Sequence, residues 1–157
     1  MWKNPVFAKI LLLLWCSCGI LLAQTGSGDS WKPPNDTSLR QALDAIRRGF
    51  LQEDLAQLGQ VFPRKDKILL RWEDPVSHDG LLTTTQAMLF LRELFLKYRT
   101  DEFQLQSGSL IPPGQLYHCM GRWSVSTARG SSQRLELHFS LKQDAGAWTV
   151  RELRQTR

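Results

Sequence analysis

An α+β fold, with helices packed on a mainly antiparallel sheet, follows from three observations on the 157-residue sequence. Between Gln115 and Arg154, apolar and polar residues alternate in three runs separated by two turn signals. Such period-two alternation is the mark of half-buried antiparallel strands, whose successive side chains point to opposite faces. Ahead of these runs, two long segments place apolar residues at helical spacing. The periodic segments then read helix, helix, strand, helix and four strands.

The chain opens with Lys3 and Lys9 around a short basic start, an almost wholly apolar Ile10 to Leu22, and Leu21-Leu22-Ala23 ahead of the polar, glycine-rich Gln24 to Ser30. This is the layout of a secretory signal peptide, assigned to residues 1–23. The apolar run of about 13 residues falls short of the roughly 20 that a membrane-spanning helix needs. Cleavage and no stable membrane anchor afterwards are therefore expected, with an uncleaved anchor as the rival. Neither Cys16 nor Cys18 follows the small residues of a lipid-modification box. Residues 24–35, rich in Gly, Ser and Pro, read as a flexible linker, and residues 36–157 as one domain.

Cleavage changes two inferences. Cys119 becomes the only cysteine, which excludes an internal disulfide. It falls on the apolar face of its strand, the place of a small buried hydrophobe rather than a reactive thiolate. Loss of Lys3 and Lys9 leaves 18 basic residues against 15 acidic ones and takes the net charge from +5 to +3. The remaining basic residues form short scattered groups (Arg47-Arg48, Arg64-Lys65-Lys67, Arg151-Arg154-Arg157), so nucleic acid is not an expected partner. An exported chain without a disulfide suits a bacterial periplasm.

In order along the domain, any of Asp36 to Ser38 can cap a helix whose inner face is Leu39, Ala42, Leu43, Ile46 and Phe50. Gly49 is placed to end it in a left-handed turn. A shorter helix is expected over Gln52 to Val61, burying Leu55, Leu58 and Phe62, with Pro63 as its stop. Ile68, Leu70 and Trp72 mark a short strand, and Asp74 to Leu82 a loop. Thr83 and Gln86 have capping-box spacing for a helix with Met88, Leu91, Leu94, Phe95 and Tyr98 along one side. Leu89, Phe90 and Leu96 widen its apolar surface, which predicts cover on two sides or pairing with another copy. Phe103, Leu105 and Ser107 alternate in the next strand. Tyr117 to Val125, Leu135 to Leu141 and Trp148 to Val150 make the final three, turning at Ala128 to Ser132 and at Asp144-Ala145-Gly146. The alternation slips at Glu152 and Leu153, as a β-bulge would make it.

Four segments carry a family resemblance: Arg47 to Phe62; Thr83-Thr84-Thr85-Gln86-Ala87 leading into Leu91 to Phe95; Tyr117 to Gly121 with Trp123; and Trp148 to Arg154. In this order and spacing the chain resembles the nuclear transport factor 2-like, or cystatin-like, superfamily. Within it, the sequence is most similar to a bacterial family of short exported proteins with no assigned function. The resemblance implies a strongly curved sheet wrapping a long helix as a cone, whose open end in related proteins often holds a ligand or an active site. The segment Arg64 to Leu82 departs from the pattern.

Trp72, Phe103, Tyr117, Trp123, Phe139 and Trp148 are the residues to line the concave side, either as a packed core or around a cavity for a small apolar ligand. His118, Arg122, Arg134 and His138 fall on the opposite, polar face, where a protein partner or a second copy could dock as a homodimer. No catalytic set is visible: no strand carries paired carboxylates for acid–base chemistry. His78, His118 and His138 share no helix or close spacing for a metal, and no glycine-rich phosphate loop follows a strand. No cofactor is expected. The expected function is non-catalytic binding of a protein partner or a small apolar ligand. The alternative is a cavity-based isomerase, cyclase or hydrolase with Tyr117 as its acid or hydrogen-bond donor.

Overall fold

The computed structural model describes residues 36–73, 76–111 and 115–156; the expected signal peptide and linker lie outside these. Helix α1 (Thr37–Leu51) starts at Asp36, which accepts hydrogen bonds from the Ser38 and Leu39 amides. A second oxygen of Asp36 accepts the Trp148 indole N–H at 3.0 Å, so the cap also ties the helix to the last strand.

Gly49 does not end α1. The helix runs two residues further, and the left-handed residue is Glu53, at φ 56°. The glycine is needed for space instead, since a Cβ on it would stand 2.4 Å from Leu58 Cγ. Leu58 belongs to α2 (Leu55–Val61), capped by Asp54 rather than beginning at Gln52. The Glu53 carboxylate accepts the Thr100 amide at 2.6 Å, which pins this corner to the sheet.

Strand β1 (Ile68–Trp72) is as expected, with residues 68, 70 and 72 buried. The segment after it is only partly a loop. Strand β2 (His78–Leu82) pairs antiparallel with β1, from Trp72 opposite His78 to Ile68 opposite Leu82. None of its residues is buried, so its sequence has no apolar alternation to betray it.

Helix α3 (Thr84–Lys97) has the capping box of Thr83 and Gln86. It buries Ala87, Phe90, Leu91 and Leu94, with Phe90 packed edge-on to Trp72 at 5.7 Å. Leu89 and Leu96 remain exposed, so within one chain the helix is covered on one side only. Tyr98 is already the first residue of β3 (Tyr98–Leu105), which follows α3 without a loop.

Strand β4 (Ser109–Ile111) is short, wholly exposed and likewise absent from the sequence pattern. The long strands β5 (Leu116–Thr127), β6 (Ser132–Asp144) and β7 (Ala147–Gln155) form an antiparallel meander. The sheet order is β2-β1-β7-β6-β5-β3, with β4 also on β5. Only the β1–β7 pairing is parallel among the described strands. Ala145 and Gly146 turn β6 into β7 with φ of 49° and 81°, the positive pair a two-residue hairpin loop requires. The expected bulge is present: Ser140 faces Glu152 and Leu141 faces Val150, leaving Arg151 as the extra residue.

All three described helices pack on one side of the sheet, α1 against β3 and β7, and α3 against β1, β2 and β3. Between them lies the core, centred on Phe50. Its ring stacks on Phe103 at 4.7 Å and meets Phe95, Trp123 and Phe139 edge-on between 5.3 and 5.8 Å.

Candidate functional site

The sheet offers two candidate surfaces. On the inner face, all six aromatics expected there are buried, and each is at most 4% exposed. Trp123 touches Phe50, Trp72, Phe95 and Tyr98 through edge-on contacts near 6 Å, and its indole N–H donates to Thr100 Oγ1 at 2.9 Å. Phe103 and Phe139 meet edge-on and both contact Phe50. Trp148 lies apart from this group, over the start of α1, where it donates to Asp36.

Tyr117 is the inner-face group with acid–base chemistry. Its hydroxyl accepts the Gly108 amide N–H at 3.0 Å, a backbone partner that holds it in place. Burial, reinforced by Cys119, raises its pKa above the ordinary phenol value. Cys119 is buried and free, its thiol pushed up to about 12 by loss of solvent, which makes it a hydrophobe rather than a nucleophile.

On the outer face the sheet joins residues that are far apart in sequence. His118 on β5 stands opposite Ser140 on β6 and diagonal to His138, which stands opposite Met120. The His118 Nδ1 and His138 Nε2 atoms are 3.2 Å apart. Ser140 Oγ lies 3.1 Å from His118 Nδ1 and donates to Glu152 Oε2 at 3.3 Å. Arg154 faces His138 from β7. Burial lowers the His138 pKa, Arg154 and His118 lower it further, and Glu152 opposes them.

A pocket of about 360 Å³ opens beside the pair, lined by Ser107, Gly108, Ser109, Met120 and the two histidines. Arg122 faces Glu136, and the exposed Arg134 faces Ser124, further along the same strands. His78 lies elsewhere, on β2 beside Phe90. Thus the two histidines expected on the polar face meet, while the two arginines extend that face towards the β5–β6 turn.

Sequence reading missed Ser140, Glu152 and Arg154 as neighbours of the histidines. Strand parity alone does not align β7 with β6; the bulge at Arg151 brings Glu152 and Arg154 onto the outer side. Among the described residues, no three His, Cys, Asp or Glu side chains are grouped to hold a metal ion. Nor is any described helix long and apolar enough to cross a membrane.

Among the described residues, three helices held on one side of this bent, mainly antiparallel sheet give the chain a nuclear transport factor 2-like, ketosteroid isomerase-like fold. A DUF4783 family protein from Bacteroides ovatus is similar to it, at TM-score 0.54 and 13% identity over 71% of this chain and 90% of that one. AusH from Aspergillus nidulans is similar at TM-score 0.60 and 15% identity, covering 79% and 85%. A hypothetical protein with ketosteroid isomerase-like fold from Catenulispora acidiphila, in complex with trimethylamine, gives TM-score 0.59 at 7% identity, covering 80% and 87%. At such identities the likeness is one of fold. No family model matches the sequence, and no curated protein matches it.

Proposed function

We propose that this is an exported, non-catalytic binding domain whose working surface is the outer face of the sheet, with a second copy of the chain as its first partner. The observation that carries this reading is the occupation of the concave side by Phe50. Its ring sits among Phe95, Phe103, Trp123 and Phe139 and fills the space between them. Near-zero exposure of the surrounding aromatics supports a packed interior.

The outer face has the extent an interface needs. Strands β5 and β6 run 12 and 13 residues, roughly 40 Å at strand rise, and the six strands side by side cover on the order of 800 Å². Export rests on the basic, apolar and small-residue layout of residues 1–23.

Sedimentation of the purified protein tests the pairing. A mass twice that of the chain, returning to one chain in the Arg122→Glu/Arg134→Glu variant with its circular dichroism unchanged, is the expected result. A single-chain mass at all concentrations, or a dimer indifferent to these charges, removes the outer face as the pairing surface.

A further inference from the structure

The geometry points to a transition-metal site at the outer-face histidine pair, with His118 Nδ1 and His138 Nε2 as its two protein ligands. This goes beyond the pairing proposed above and does not depend on it; the site lies on the same face and is open in the single chain. The two nitrogens are 3.2 Å apart on adjacent strands. Zinc–imidazole bonds of 2.0–2.1 Å at a tetrahedral angle put two nitrogens about 3.3 Å apart. The sheet therefore already holds the pair at nearly the spacing that one ion would impose.

At this distance the two nitrogens cannot both carry a hydrogen, so at least one lone pair already points into the gap. Binding needs the other hydrogen to sit on the far nitrogen of its own ring, which for His118 also gives up the Nδ1 bond to Ser140 Oγ; this change of tautomer releases no net proton from two neutral rings. The remaining coordination positions face the pocket lined by Ser109 and Met120, which is open to water. The Arg154 cation opposite His138 works against the ion, and the Glu152 carboxylate on the same strand counters it only in part, which keeps the affinity modest.

Imidazole nitrogen suits zinc, nickel and copper(II) rather than calcium or magnesium, which want oxygen. Nδ1 of His138 is buried with no hydrogen-bond partner. The site thus lacks the outer bond that tightens a metal-ligating histidine, and affinity on the order of micromolar is expected rather than that of a structural zinc.

The sequence has three histidines, which makes the test clean. The purified protein is titrated with zinc, nickel and magnesium chlorides by calorimetry, alongside His118→Gln, His138→Gln and His78→Gln. Expected are one zinc or nickel ion per chain, no magnesium, affinity reduced at least about tenfold in His118→Gln and in His138→Gln, and no change in His78→Gln. Paramagnetic broadening of the His118 and His138 ring protons by nickel, with His78 sharp, gives the same answer without mutation. Absence of zinc binding, or binding that survives both outer-face substitutions, overturns the site. Sedimentation of the metal-free protein judges the pairing separately.

Discussion

Strands β5 and β6 present two faces whose side chains obey different rules. Inward, Tyr117, Cys119, Gly121, Trp123 and Val125 meet Leu135, Leu137, Phe139 and Leu141, and all are buried. Outward, His118, Met120, Arg122 and Ser124 meet Ser140, His138, Glu136 and Arg134, and among them only Ser140 is buried. The inner positions are fixed by volume, because close-packed rings tolerate neither a gap nor an added methyl group. The outer positions are set by hydrogen bonding and charge, which hold geometry with little effect on stability. Recognition can therefore change on one side of a strand while the fold is kept by the other.

Substitutions should separate the two faces sharply. Phe50→Ala should cost about 3–5 kcal/mol, read as a lower urea midpoint with an unchanged slope. It should also open a space that takes up a small apolar compound. If the unaltered protein takes up that compound equally well, the inner face is not filled and the contrast fails. Gly121→Ala comes next, at about 1–3 kcal/mol of overpacking, because its Cβ would lie 2.9 Å from Phe103 and 3.0 Å from Phe139.

Asp36→Ala should cost about 1 kcal/mol through the lost cap. Hydrogen bonds from Ser38 and Trp148 hold the Asp36 pKa below its ordinary 3.8. Its contribution is thus full above that value and fades as pH falls through the lower folded pKa, so the gap to the variant should close in acid. Arg134→Ala should stay within about 0.5 kcal/mol of the parent in the same unfolding assay. A loss as large as that of Gly121→Ala would show that the outer face is structural too.

Most of the inner face was legible in the sequence, because burial writes a period into it. Leu135, Leu137, Phe139 and Leu141 alternate cleanly, and the slip at Leu153 even marked the bulge. Strands β2 and β4 were invisible for the opposite reason: both lie at margins of the sheet, bury nothing and carry no alternation. Gly49 misled because a glycine needed for contact with Leu58 looks the same in sequence as one needed for a turn. The outer cluster was half legible. Parity assigned His118 and His138 to one face, but their 3.2 Å approach depends on the β5–β6 register, which no local pattern states.

The parallel contact between β1 and β7 has a consequence for how the molecule comes into being. Leu69 pairs with Glu152, and the Glu73 amide reaches the Gln155 side chain 82 residues away. The β5–β6–β7 meander and the β1–β2 hairpin can each form from neighbouring residues, but the hairpin has no further strand to join until β7 is in place. Closing so long a loop is slow compared with forming hairpins. The seam between β1 and β7 is therefore expected to be the last part of the sheet to close as the domain folds.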